Sequence, residues 1–188
     1  MISLPKYGRQ FLMMVAVVSV MSLAACAPAV TFSSGSRVKL YNSIKELAAD
    51  STLVASIDVT SQKEYPETDS ASAYTASTAE ITAIFQTAGL PGDARLDQKF
   101  SAGEEIVIRQ LATGNSVSED GSKIVIDASG SYLVFLVESG VPGASGNEFY
   151  ITGGTAGLFG ADGDKYQWLG NEGDKLPNSL TAADLQQG

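Results

Sequence analysis

Ser131-Tyr132-Leu133-Val134-Phe135-Leu136-Val137-Glu138 is the stretch on which the reading of the fold turns. Its apolar part, Tyr132–Val137, is continuous and is bounded by Gly130 and Gly140. Such a run suits a central strand covered on both faces, although periodicity alone does not separate it from a buried helix. The segments around it alternate. In Leu53–Thr60, Leu53, Ala55, Ile57 and Val59 share one face, while Ser56, Asp58 and Thr60 share the other. A second alternation sets Ala79, Ile81, Ala83 and Phe85 inward and Glu80, Thr82 and Gln86 outward, and Pro91-Gly92-Asp93 follows as a breaker. In Glu105–Leu111, Ile106, Ile108 and Gln110 oppose Val107 and Arg109.

Shorter elements complete the pattern. Ser43 and Glu46 have the spacing of a helix capping box, with Ile44, Leu47 and Ala48 on one face, so a small docking helix is expected before the first strand. Residues 61–72, with Pro66, read as a polar loop. Gly114-Asn115 and Asp120-Gly121 are turn signals, and Lys123–Asp127 reads as a brief strand. Glu148–Thr152 and Lys165–Leu169 read as strands flanking a glycine-rich connection, and Ser179–Gln186 as a terminal helix. The fold class is therefore mainly β: a small barrel or sandwich of about five to seven strands with one early helix.

Composition narrows the chemistry. The chain has 188 residues, 44% hydrophobic and 18% charged, which is a globular composition for one domain. There is no histidine, so Ser-His-Asp and Cys-His catalysis and His-ligated metals are excluded. The single cysteine, Cys26, cannot form an intrachain disulfide or a thiolate cluster. Neither a metal nor a cofactor is expected. The net charge of −9 argues against nucleic acid, whose phosphates would be repelled.

The first 25 residues read as an export signal. Lys6 and Arg9 stand before the apolar run 11–25, and no acid accompanies them. As a helix that run reaches ~22 Å, short of the ~30 Å of a bilayer core. Leu23-Ala24-Ala25-Cys26 resembles the lipobox of bacterial lipoproteins. The resemblance implies diacylglyceryl and palmitoyl-type acylation of Cys26 and cleavage between Ala25 and Cys26. Cleavage removes two cations and no acid, taking the charge from −9 to −11, and removes all four methionines. Domain boundaries follow: signal peptide 1–25, lipidated cysteine and tether 26–40, barrel 41–170, and a polar tail 171–188.

The order of elements carries a second resemblance. Ser43-Ile44-Lys45-Glu46-Leu47, Leu53-Val54-Ala55-Ser56-Ile57, Ala79-Glu80-Ile81-Thr82-Ala83, Glu105-Ile106-Val107-Ile108, Tyr132-Leu133-Val134-Phe135-Leu136 and Tyr150–Phe159 are similar in order to the small exported barrel of netrin modules and tissue inhibitors of metalloproteinases. That likeness implies an OB-type barrel. Those inhibitors chelate zinc through a free N-terminal cysteine amine and carry disulfides; an acylated Cys26 and a disulfide-free chain depart from both.

Candidate sites compete with structural roles. Gly153-Gly154-Thr155-Ala156-Gly157 lacks the following helix and the lysine of a phosphate loop, and is expected to be a turn or bulge. Asp162, Asp164 and Glu172 fail the calcium-loop spacing and leave a solvated Asp-Gly-Asp turn. Ser36 and Lys39 have Ser-x-x-Lys spacing but fall in the tether. Glu104 and Glu105, adjacent on a strand, point to opposite faces. Tyr65, Tyr74 and, above all, Tyr150, Tyr166 and Trp168 are the aromatics able to face a sugar or peptide, set against a role in packing the core.

The expectation is a non-enzymatic, monomeric protein of the bacterial cell envelope, held on the extracytoplasmic face of a membrane by its lipid. It would bind an envelope protein or glycan or serve structurally. A carboxylate-dependent extracytoplasmic hydrolase or transferase, and a protease-inhibitor-like module, are the competing classes.

Overall fold

The computed structural model describes residues 31–32, 39–68, 73–85, 99–111, 116–117, 126–142, 144–170 and 173–186. The chain is mainly β. In chain order the elements are β1 (Thr31–Phe32), α1 (Ile44–Ala49), β2 (Leu53–Tyr65), β3 (Tyr74–Ile84), β4 (Glu105–Gln110), β5 (Ser116–Val117), β6 (Ser131–Glu138), β7 (Glu148–Ile151), β8 (Leu158–Asp162), β9 (Lys165–Trp168), β10 (Ser179–Thr181) and α2 (Ala182–Gln186). β1 and β5 form a separate parallel pair.

Five strands close into a barrel. β2 pairs with β3, β3 with β4, β4 with β7, β7 with β6, and β6 returns to β2. All these pairs are antiparallel except β4–β7. This ring is compatible with an OB-like barrel, and closure removes the open sheet edges.

The stretch Ser131–Glu138 is the hinge of the architecture. One edge of β6 pairs with β2 over Ser131–Leu136. Its other edge is shared, with β7 opposite Leu136–Glu138 and β8 opposite Tyr132–Val134. β7 and β8 thus lie along one edge of β6, and between them the chain makes an excursion at Thr152–Gly157. It leaves where Thr152 N donates to the Phe135 carbonyl and returns where Phe135 N donates to the Gly157 carbonyl, both at 2.9 Å. Gly153 and Gly154 have φ of +65° and +69°, a region costly for any residue with a Cβ. The glycine cluster is a turn linking β7 to β8, one of the two forms, turn or bulge, expected from the missing lysine and helix.

β6 is buried on both faces, which settles the continuous apolar run as a strand. Tyr132, Val134 and Leu136 fill the barrel with Leu53, Ala55, Ile57, Ile81, Ile106, Ile108 and Phe149. Leu133 and Phe135 point outward into a second cluster with Val54, Leu47, Ala48, Tyr41 and Phe159. That outer layer is α1, the β8–β9–β10 arm and the C-terminal segment, through Leu176, Leu180 and Leu185. Tyr41 N donates to Asp174 (2.7 Å) and Lys175 N to the Tyr41 carbonyl (2.8 Å), so the segment before α1 is clasped to the chain's end.

Two bulges change the alternation read from sequence. β2 and β3 slip by one residue at Thr82, because Ile57 faces Ile81 and Ser56 faces Ala83. Ala83 and Phe85 therefore join the outer cluster, and Ile84 the barrel. The inward placement expected for Ala83 and Phe85 fails because a bulge inverts parity without a mark in the hydrophobic pattern. A second slip at Thr60 turns Gln62 toward the barrel end, where its Nε2 donates to Ser77 Oγ (2.9 Å) and the Ile126 carbonyl (2.6 Å). Residues 61–65, expected in a loop, continue β2 and pair with Tyr74–Thr78. Their polarity reflects a two-stranded arm with little core beneath it. Of the brief strand expected at Lys123–Asp127, Ile126 and Asp127 are described, and neither is in a strand; Ile126 is buried in the barrel.

The helix cap forms at Ser43, whose hydroxyl accepts from Glu46 N (3.2 Å). Glu46 reaches one residue further back than a capping box requires, accepting from Asn42 N at 2.9 Å. That bond first, and Lys39 second, hold the Glu46 carboxyl below its ordinary value. The Thr181 hydroxyl and amide do the same for Asp184 at the start of α2. With folded values lowered, both carboxylates contribute stability that is fully present above their unfolded values and lost as the pH falls through the folded ones. Glu46→Gln is expected to flatten the acid limb of stability below about 4.5, the ordinary value for this carboxyl, by lowering stability at neutral pH while leaving acid pH nearly unchanged. Urea midpoints measured across that range check it; an unchanged acid slope would refute the role.

Candidate functional site

Beyond Val54 of β2 and Ala83 of β3, which the outer layer covers, the outer face of β2, β3, β4 and β7 carries a dense set of aromatic and cationic side chains among the described residues. Barrel-facing Gln62, Thr75, Ser77, Ile108, Gln110 and Phe149 alternate with outward Lys63, Tyr65, Tyr74, Ala76, Arg109 and Tyr150. Register aligns Lys63 with Ala76, Ala76 with Arg109, and Arg109 with Tyr150, making one row across four strands. Tyr65 and Tyr74 pair in the next row toward the tip of the arm.

These groups form a column. The rings of Tyr65 and Tyr74 stack with centroids 4.5 Å apart and planes 8° from parallel. That spacing leaves no room between them, so the cations take the outer ring faces. Lys63 Nζ lies 4.7 Å from the Tyr65 centroid and Arg109 Cζ 4.2 Å from that of Tyr74. Arg109 also pairs with Glu148 at 3.4 Å. Burial alone would lower the guanidinium's pKa; the hydrogen bond to Tyr74 and the Glu148 carboxylate work against burial, and the net direction is up. Arg109 is thus held between three neighbours, with its orientation set before any partner arrives.

The opposite end of the same face is acidic. Asp58 faces Glu80, and Glu80 faces Glu105, in a row across β2, β3 and β4, all exposed. Ser131 Oγ donates to Asp58 at 2.5 Å, and among the described residues no ion pair touches the row. Like charges directly opposite on neighbouring strands are destabilising. Glu80→Gln is therefore expected to stabilise the fold by about 0.2–1 kcal/mol, with the gain shrinking in high salt. Denaturant midpoints in dilute protein check this; a loss of stability would show that Glu80 has a favourable partner.

The aromatics singled out in sequence part company. Tyr150 lies on this face beside Arg109. Tyr166 and Trp168 pack on the outer cluster instead; Tyr166 shares a 2.6 Å hydrogen bond with Ser56, and Trp168 Nε1 donates to the Ala156 carbonyl at 3.1 Å. Trp168 braces the glycine excursion, and Tyr166 ties β9 to β2. Asp162 and Asp164 flank Gly163 (φ +64°) in the β8–β9 hairpin. Lys39 pairs with Asp50 (2.8 Å) and Glu46 (3.3 Å). Ala25, Cys26, Ser36 and Glu172 lie outside the described residues. Among the described residues no group of three or more Cys, Asp or Glu side chains is placed to hold a metal ion. Arg109 and Lys63 were missed by sequence reasoning because their partners arrive from other strands. No family model matches the chain, and no curated protein matches it.

Proposed function

We propose that the chain is a lipid-anchored protein of the bacterial cell envelope, held at the extracytoplasmic face by acylated Cys26, whose barrel works by binding. The reading of the anchor rests on Leu23-Ala24-Ala25-Cys26 following a short apolar run. The observation that carries the binding role is the Lys63–Tyr65–Tyr74–Arg109 column, with Tyr150 beside it, on the outer face of the barrel sheet. Aromatic and arginine side chains are enriched where proteins bind, and an arginine already oriented by three neighbours loses little freedom on contact. The exposed carboxylates lie on the convex outside of a barrel, where water screens them, which disfavours general-acid chemistry. The netrin-like likeness stays a likeness of fold.

Two measurements test the two halves. Metabolic labelling with a fatty acid is expected to mark the full chain and to fail in Cys26→Ser; label on the variant would end the anchor reading. A photo-reactive phenylalanine analogue at position 76, in the centre of the cationic row, is expected to give adducts in intact cells. The same analogue at position 161, exposed on the β8–β9 arm, is expected to give none. Equal adducts at both sites, or none at 76, would remove the binding face.

A further inference from the structure

The binding face has a symmetry of its own in its charges. Three consecutive outward rows cross it. Asp58, Glu80 and Glu105 form the first; Ser61, Thr78 and Val107, with Glu148 beside Val107, form the second; Lys63, Ala76 and Arg109, with Tyr150, form the third. Thr78 stands two residues from both Glu80 and Ala76, and Val107 two residues from both Glu105 and Arg109. On β2 the bulge at Thr60 keeps Asp58, Ser61 and Lys63 in step with those rows. The acid and cation rows therefore flank the middle row at equal separations of ~7 Å.

We propose that this face docks a second copy of the chain about a two-fold axis lying along the Ser61–Thr78–Val107 row. The proposal rests on the binding-face reading and names its partner. A two-fold axis in the plane of a sheet and across its strands turns one face onto another, keeps β2 over β2 and β4 over β4, and reverses position along each strand. Asp58 then meets Lys63 of the other copy, and Glu105 meets its Arg109. Glu80 falls over Ala76, whose short side chain leaves room between the two cations. Each contact occurs twice, as an isologous interface requires. Ser61, Thr78 and Val107 in the middle row are small and uncharged, so the faces can approach to the ~10 Å of packed sheets. Glu148, at the β7 end of that row, falls near its own counterpart, each beside the Arg109 of its own chain.

Charge complementarity selects this occupant over a polyanion or a polycation. A polyanion would meet Asp58, Glu80 and Glu105 on the same face. A polycation would meet Lys63 and Arg109. A second copy pairs both ends together and neutralises a carboxylate row that is unfavourable in the monomer. The monomer expected from sequence would then be the dissociated form, and copies held on one membrane would meet at raised effective concentration.

The experiment is sedimentation of the full chain in mild detergent, with three variants. The native chain is expected to dimerise, and more weakly near ~1 M salt, where screening is nearly complete. Lys63→Glu and Asp58→Lys, made singly, are each expected to weaken the dimer by at least about tenfold, because symmetry repeats the repulsion. Combined, they restore the pair with its signs exchanged and are expected to return most of the affinity. Thermal melts establish that each variant is folded. A monomer at all concentrations, or a double variant no better than either single one, overturns the proposal. The adducts at position 76 separate its failure from that of the binding face. An adduct of twice the chain mass supports the dimer; an adduct of any other mass overturns the dimer and leaves the face; no adduct removes both.

Discussion

Phe135→Ala is expected to destabilise the fold by about 3–5 kcal/mol, a large part of the 5–15 kcal/mol typical of a domain. Phe135 is fully buried and lies at the middle of β6, on the side away from the barrel. Its ring packs at 5.9 Å from Phe159 with the planes at 50°, joining β6 to the β8–β9 arm. The same cluster receives Leu47 of α1 and Leu176, Leu180 and Leu185 of the C-terminal segment. Truncation would open a cavity where three separate pieces of chain meet, and none of them can collapse into it alone. Leu111→Ala, at a side chain 67% exposed, is the control and is expected to change stability by less than about 0.5 kcal/mol. Urea unfolding followed by Trp168 fluorescence reads both. Equal midpoints for the two variants would mean that the outer layer is dispensable to the barrel.

Gly157→Ala is the second large effect, expected at about 1–3 kcal/mol. The added methyl would stand 2.8 Å from the Phe135 carbonyl oxygen and 3.0 Å from that of Thr152. Both obstacles are backbone, which cannot rotate away as a side-chain tip can. Relief requires β6 and the excursion to part, weakening the Phe135 N to Gly157 O bond that restarts the ladder. Gly154→Ala separates space from backbone strain, since a methyl there meets nothing within 4 Å but φ is +69°. Its cost is expected near about 1 kcal/mol, from the left-handed conformation alone. If Gly157→Ala proves as mild as this, the close approach at β6 is not what the glycine serves.

The face chosen for binding shows where sequence reading stops. Tyr150 was singled out together with Tyr166 and Trp168, yet only Tyr150 is on that face. Each sits in a short strand, Tyr150 between the apolar Phe149 and Ile151 and Tyr166 between Lys165 and Gln167, and this alternation does not tell which other segment covers each ring. Trp168 is committed by the Ala156 carbonyl and Tyr166 by Ser56, partners that stand 12 and 110 residues away in the chain. Arg109 was legible as an outward residue of β4, but its value comes from Tyr74 and Glu148 on two other strands. The acid row was hidden for the same reason, since Asp58, Glu80 and Glu105 are scattered until register aligns them.

Sequence alone determined the mainly β class, the two-sided burial of Tyr132–Leu136, the cap at Ser43 and the turn chemistry of Gly153-Gly154 and Asp162-Gly163-Asp164. These follow from local rules: period, propensity and the conformations open to glycine. Only the tertiary structure decided that β6 divides its edge between β7 and β8, and that Thr60 and Thr82 bulge. It also decided that Lys63, Tyr65, Tyr74 and Arg109 stack into one column. Each of these depends on which strand lies beside which and in what register. That choice is made by burying Ile57, Ile81, Ile108, Val134 and Phe149 together, a condition on the whole chain that no single segment carries.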